Sequence, residues 1–481
     1  MACIWGLPTA GHVFPQQVLK IALSFLPNLM IDNNFAPSKT NLMLVVKFGG
    51  TSVGKPERMK KIADLVLGMP GQKIVVLSAL SGTTNALVRI GDALLANNHP
   101  VAETEIAALE KHYLNFISEL FESPSYQAIG QEIVSRYFSL FRLLAAGKFD
   151  DRGYRELLAQ GELISTELFY HHCQERKINA RLLPALHFMS IDENHEPELE
   201  KISDRLKPIL ETMSTADILV TQGYICRNNK NEIDNLKRGG SDYTASLIGA
   251  AVRAEEIQIW TDIDGMHNND PRVVKKTLPI AELTFDEASE LAYFGAKILH
   301  PSTIVPAQKY NVPVRLKNTM DEKAEGTLIS ERGSRGQFKA IAAKDGITAV
   351  KIKSSRMLLA YGFLRQVFEV FEKYKTPIDM ISTSEVAVSV TIDESKYLDE
   401  IVGELTAFGS IDVDKDQTII CIVGNMLAEK EGVLKDVFQA LATIPIRMVS
   451  YGGSTNNISL LVETSQKEKA LTLLNEGLFG L

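Results

Sequence analysis

From Met43 onward the chain alternates between short, apolar, β-branched runs and longer segments with helical spacing. Met43–Phe48 reads as a buried strand, and 55–67 sets Met59, Ile62, Ala63 and Val66 on one helical face. A second buried strand is predicted over 73–78 and a helix over 85–97, followed by a long helical stretch from about 100 to 180. Segments 216–223, 257–261 and 312–317 predict further short strands between helices. Strands alternating with helices predict an α/β fold with a mostly parallel sheet covered on both faces. In such sheets ligands sit at the carboxyl ends of the strands.

Around 330–336 the pattern breaks into a polar, glycine-rich linker, Ser330-Glu331-Arg332-Gly333-Ser334-Arg335-Gly336. Beyond it lies an internal repeat. Gly362-Phe363-Leu364-Arg365-Gln366-Val367-Phe368 aligns with Gly432-Val433-Leu434-Lys435-Asp436-Val437-Phe438, and Pro377-Ile378-Asp379-Met380-Ile381-Ser382 with Pro445-Ile446-Arg447-Met448-Val449-Ser450. Alternating runs at 385–393 and Asn457–Glu463 supply paired strands in each copy. Two ferredoxin-like α+β units of about 70 residues each account for both blocks. A strand over 338–343 is expected to cross into the second unit, so that the two interleave. The expected domains are therefore 43–335, 336–410 and 411–481, preceded by an extension over 1–42 that is not part of the fold.

That extension carries Pro8, Pro15, Pro27 and Pro37, and its first basic residue is Lys20. It lacks the early positive charge and small-residue cleavage site of a secretory signal. A start codon assigned upstream of Met43 is the expected origin. At 481 residues the chain has room for roughly three domains. Its net charge of −8 and lack of a basic tract argue against nucleic acid as a partner. Cys3, Cys173, Cys226 and Cys421 are widely spaced, with no C-x-x-C pair, and read as unpaired thiols. No run approaches a membrane span. The composition is that of a cytoplasmic enzyme.

The candidate chemistry falls where the strands end. Lys47-Phe48-Gly49-Gly50-Thr51-Ser52 puts a lysine at the end of a strand and a glycine pair before a helix, so backbone and ammonium can both approach an anion. It equally describes a tight strand-to-helix loop. Ser78-Ala79-Leu80-Ser81-Gly82-Thr83-Thr84-Asn85 offers hydroxyls either to a helix cap or to a polar substrate. In Arg238-Gly239-Gly240-Ser241-Asp242 the arginine can clamp a carboxylate, and Asp242 can cap a helix or meet an ammonium. Trp260-Thr261-Asp262-Ile263-Asp264-Gly265, with Asp270-Pro271-Arg272 behind it, can position a Mg²⁺-nucleotide or form an ordinary turn. Lys297, in Gly295-Ala296-Lys297-Ile298-Leu299-His300-Pro301, is a second phosphate-binding candidate, whereas His300 reads as structural. G-x-S-x-G, H-E-x-x-H, the Rossmann fingerprint and the protein-kinase H-R-D set are all missing. Glycine-rich anion sites with lysines, arginines and scattered carboxylates suit phosphoryl transfer, where positioning and charge neutralisation supply most of the catalysis.

Together these motifs, with Gly161-Glu162 and Gln222-Gly223-Tyr224, resemble the aspartokinases of the amino acid kinase family, and the terminal repeat resembles their tandem ACT domains. With no dehydrogenase region after the repeat, the likeness is to monofunctional, lysine-sensitive forms. The resemblance implies transfer of the ATP γ-phosphoryl group to the side-chain carboxylate of L-aspartate. It implies catalytic roles for Lys47 and Asp242, and aspartate binding by Thr84, Glu162, Tyr224, Arg238, Ser241 and Asp242. ATP, with Mg²⁺, would be held by Lys47, Gly49, Gly50, Ser78, Thr261, Asp262, His267, Arg272, Lys297 and Ile298, and no metal ligand is assigned to the protein alone. His267 stands where many relatives carry a tyrosine.

An amino-acid effector, lysine by resemblance, would meet Met357, Phe363, Leu364, Asp379, Ser384 and Glu385 in a homodimer joined through the ACT domains. Ala360 replaces a serine common in that class, and Pro377 stiffens the loop, so threonine, or lysine acting with another amino acid, stays open as the effector. An acetylglutamate or glutamate kinase is the alternative within the fold. A silent amino-acid sensor is the alternative outside catalysis.

Overall fold

The computed structural model describes residues 43–237, 239–295, 299–333, 336–354 and 361–481. The extension over 1–42, Arg238, Ala296, Lys297, Ile298, Ser334, Arg335, Met357 and Ala360 lie outside the described residues.

The first region, from Met43 to Ser330, is built on an eight-stranded sheet. β1 (Met43–Phe48) leads through a one-turn helix, α1 (Gly50–Val53), into α2 (Pro56–Gly68), which starts with a proline at its first position. After β2 (Gln72–Leu77) comes α3 (Thr83–Leu95). The long helical stretch resolves into α4 (His99–Leu120), α5 (Pro124–Ala146) and α6 (Asp151–Glu175). Their starts are set by side-chain caps from Asn98, Ser123 and Asp150. β3 (Ala180–Leu182), α7 (Leu199–Thr212) and β4 (Ile218–Gln222) follow, then a small hairpin of β5 (Ile225–Arg227) and β6 (Ile233–Asn235). α8 (Gly240–Val252), β7 (Glu256–Thr261), β8 (Glu282–Thr284), α9 (Phe285–Tyr293), α10 (Pro301–Lys309), β9 (Val314–Asn318) and β10 (Thr327–Ser330) complete the region.

The strand order is β3-β4-β2-β1-β7-β9-β10-β8, parallel throughout except for the β9–β10 pair. Residues of β1 and β2 alternate between two cores. Val45, Ile74 and Val76 face one layer with Ile257 and Ile259, and Leu44, Val46, Phe48, Val75 and Leu77 face the other. Each such buried side chain contributes roughly 1.5–3 kcal/mol. The chain leaves β1 on one side for β2 and on the other for β7, so the carboxyl end of β1 is a topological switch point.

The repeat forms a second, six-stranded antiparallel sheet. Its elements are β11 (Ala340–Lys353), α11 (Phe363–Lys373), β12 (Ile381–Thr383), β13 (Ala387–Ile392), α12 (Leu398–Leu405), β14 (Ser410–Val423), α13 (Val433–Ala440), β15 (Met448–Tyr451), β16 (Asn457–Glu463) and α14 (Lys467–Phe479). The order is β12-β13-β11-β14-β16-β15. β11 and β14 each serve both halves. Thr348–Lys353 of β11 pairs with β13, while Ala340–Lys344 pairs with Ile419–Val423, the part of β14 that also pairs with β16. The helices cover separate cores in the two halves. The opposite face, carrying Ala340, Ala342, Ile419 and Cys421, joins a core of the first region.

Candidate active site

Lys47, the penultimate residue of β1, is 9% exposed. Its Nζ lies 2.6 Å from Oδ1 of Asp242, a charge pair without an aligned hydrogen bond at that oxygen. Asp242 sits in the first turn of α8, which starts at Gly239 in a left-handed conformation (φ +73°) and has no side-chain cap. Asp242 is therefore free for Lys47 rather than spent as a cap. The glycines set the spacing. A Cβ on Gly49 would lie 3.4 Å from Lys47 Nζ, and one on Gly50 3.0 Å from the Ala79 carbonyl.

α3 likewise starts from a left-handed glycine, Gly82, and not from a hydroxyl cap. Thr83 turns inward to Tyr113 (3.0 Å), leaving Thr84 exposed in the cleft. Glu162 reaches the site from the middle of α6. Gly161 makes this possible, because a Cβ there would lie 2.9 Å from that of Ala79. Glu162 is 4% exposed, with Oε2 unpartnered among the described residues. Burial pushes its carboxyl up to about 8, opposed in part by hydrogen bonding from the Ala79 backbone. Tyr224 holds a left-handed conformation (φ +67°), pinned by its N–H to Thr244 Oγ1 (3.0 Å), and burial raises its phenol. Lys47, Gly50, Ser78, Thr84, Glu162, Tyr224, Ser241 and Asp242 thus line one cleft of about 630 Å³. Ser81 and Asn85, from the hydroxyl-bearing segment 78–85, line it too, as does Lys237, which was not singled out in the sequence.

A second cleft of about 580 Å³ opens at the end of β7. It gathers Thr261, Asp262, His267 and Arg272. Thr261 Oγ1 donates to Asp262 (3.1 Å), and Arg272 forks onto Asp270 at 2.9 and 2.8 Å while remaining largely exposed. His267 is held through both ring nitrogens, by Asp264 and Thr277, each at 2.8 Å. Asp264 and Thr277 were missed as members of this arrangement, since a histidine's partners do not show in spacing. The amide of Gly49 joins the clefts by donating to the Trp260 carbonyl (3.4 Å). His300 is structural, as expected: it caps α10, bonds Ser302 (2.7 Å) and packs against Gly239.

Among the described residues no three His, Cys, Asp or Glu side chains converge on a metal position. No helix is long and apolar enough to cross a membrane. Of the regulatory candidates, Phe363 is buried in its core and Leu364, Ser384 and Glu385 are exposed. The Asp379 side chain is 1% exposed and salt-bridged to Lys344.

Residues 43–318 match the amino acid kinase family, and residues 420–478 match an ACT domain. The chain is 33% identical over 455 residues to lysine-sensitive aspartokinase 3 of Escherichia coli, covering 91% of this chain and 99% of that one. The chain belongs to the aspartokinases of the amino acid kinase family. It is also 33% identical over 460 residues to a chloroplastic aspartokinase 1 of Arabidopsis thaliana, covering 90% and 80% of the two chains. The fold superposes on E. coli aspartokinase III in complex with aspartate and ADP (R-state) with a TM-score of 0.79 at 32% identity, covering 91% of this chain and all (100%) of that one. The same enzyme with lysine and aspartate (T-state) gives 0.75 at 32% identity, over 91% and 99%.

Proposed function

We propose that this aspartokinase transfers the γ-phosphoryl group of ATP to the side-chain carboxylate of L-aspartate, giving 4-phospho-L-aspartate and ADP. This is the first step towards lysine, methionine and threonine. The observation that carries the reading is Lys47, which is paired with Asp242 in the first cleft and followed by a loop whose Gly49 bonds Trp260, the residue before Thr261 of the second cleft. The structure of a similar aspartokinase with aspartate and ADP supports the same division.

The substrate carboxylate, with a pKa of about 4, is already ionised at neutral pH, so no general base is required. Its oxygen attacks the γ-phosphorus, the bond to the β–γ bridging oxygen breaks, and ADP leaves with that electron pair. Lys47 leaves Asp242 to follow the charge on the transferring group, with Gly49 and the amide of Gly50 beside it. Glu162 takes the substrate ammonium, and Arg238 clamps its α-carboxylate. Thr84, Tyr224, Ser241 and Asp242 orient the rest. Ser78, Thr261, Asp262, His267, Arg272, Lys297 and Ile298 hold the nucleotide. Mg²⁺ needs one or two carboxylates plus phosphate oxygens, and Asp262 fits that demand better than a protein-only cage would. When bound, the ion neutralises phosphate charge.

We assign catalysis to 43–335 and regulation to 336–410 and 411–481. The protein acts as a cytoplasmic homodimer joined through its ACT domains, and lysine is its inhibitor. Met357, Phe363, Leu364, Asp379, Ser384 and Glu385 form the effector site. A similar enzyme solved with lysine supports this assignment. Hydroxylamine trapping of acyl phosphate with ATP, Mg²⁺ and L-aspartate tests the reading. Hydroxamate that requires both substrates and is suppressed by millimolar L-lysine is expected. No product from folded protein would overturn catalysis in favour of a sensor.

A further inference from the structure

The effector-site carboxylate of Asp379 is not waiting empty. Its side chain is 1% exposed, and Oδ1 accepts from Lys344 Nζ at 2.8 Å and from the Tyr293 hydroxyl at 3.0 Å. Oδ2 has no hydrogen-bond partner among the described residues. Lys344 comes from β11 and Tyr293 is the last residue of α9, so this one carboxylate ties the regulatory sheet to the catalytic region. The ammonium also lies 4.8 Å above the Tyr293 ring and 2.9 Å from Oδ2 of Asp393. A buried carboxylate is costly without a cation beside it, so something must always fill this position. Lys344 has somewhere else to go: it is 20% exposed, and Asp393, at 37%, faces water.

We infer that Lys344 is a built-in occupant of the amine subsite at Asp379, and that an amino-acid effector binds by displacing its ammonium towards Asp393. The inference rests on the reading that Asp379 belongs to the effector site. One ammonium replaces another, so the carboxylate stays compensated throughout. What changes is the tether. Lys344 follows Ala343 directly, and a Cβ on Gly295 would lie 2.3 Å from the Ala343 carbonyl. Gly295 lies two residues after Tyr293, at the start of the segment that carries Lys297. Moving Lys344 thus acts at its tie to Tyr293 and beside the close approach of Ala343 to Gly295.

An internal competitor lowers apparent affinity in proportion to its occupancy. Isothermal titration of full-length protein with L-lysine tests this in Lys344→Met and Asp393→Asn. The first removes the competitor and the second removes its retreat. Lysine is expected to bind Lys344→Met about tenfold more tightly and Asp393→Asn several-fold more weakly. Hexanoate, which has the same chain length and neither ammonium, should gain nothing in Lys344→Met. A purely structural role would weaken binding in both variants, and that result, or unchanged affinity in Lys344→Met, overturns the inference alone. Failure of wild type and both variants to bind lysine overturns the effector-site reading, and this inference with it.

Discussion

The two clefts differ in who builds their walls. Among the described residues, the cleft with Glu162 and Asp242 is lined only by elements of the catalytic region. The one with Thr261 and Arg272 shares its wall with the regulatory sheet, through Ile341, Ala342 and Ala343 of β11 and Lys467 and Leu471 of α14. The loop following β7 is stitched to that wall: Ile341 donates its N–H to the Asn268 carbonyl (2.8 Å), and Asn268 and Asn269 reach Asn475 and the Leu471 carbonyl at 2.9 and 3.1 Å. A shift in the C-terminal sheet therefore has a mechanical route to the cleft with Thr261 and Arg272 that, among the described residues, the cleft with Glu162 lacks. Regulation should appear first as a change in ATP affinity.

In the proposed mechanism Lys47 carries the transfer step, and Lys47→Ala should cost about 10³-fold in kcat while lysine binding by calorimetry stays unchanged. Glu162→Gln should raise the aspartate KM by about 10²-fold, the loss of a charge-assisted contact, and leave the ATP KM within about twofold. A parallel rise in both would break the separation. The same residue gives a pH test. Burial holds its carboxyl at about 8, and the proposed role requires the ionised form to pair with the substrate ammonium. Aspartate affinity should therefore rise as pH climbs towards about 8 and level off above, and Glu162→Gln should flatten that profile. Because the folded value lies above the ordinary 4.5, the stabilisation it gives the empty enzyme is fully present below that pH and is lost as pH rises through about 8.

Gly295→Ala sharpens the other half of the comparison. Its φ of +113° and the nearby Ala343 carbonyl both oppose a side chain. The ATP KM should rise about tenfold and stability fall by about 1–3 kcal/mol, with the aspartate KM little changed; steady-state kinetics and thermal unfolding read these. The smallest effect is expected from His267→Phe. Both ring nitrogens are engaged by Asp264 and Thr277, so the change should alter the ATP KM only about threefold.

The catalytic sheet was legible because its strands are buried on both faces and read as unbroken apolar runs. β3, β8 and β10 went unpredicted: each is only three or four residues long. Glycine-bearing strand ends could be read as an anion site, because glycine is required where backbones and ligands approach closely. Glu162 could not. It lies mid-helix, and only the crossing of α6 over the loop that follows β2 buries it. Its importance came from family resemblance alone. The tie from Asp379 to Lys344 and Tyr293 was equally hidden, since the partners lie 35 and 86 residues away.

The shared strands also dictate an order of assembly. Ala340–Lys344 leaves the ribosome before everything it completes, and its partner Ile419–Val423 is made some 75 residues later. The early strand must wait as an unpaired edge, exposed to association with other chains, until the later one arrives. A nascent or truncated chain ending near residue 410 would hold half a barter: one regulatory unit nearly made, and a strand promised to a unit that never comes.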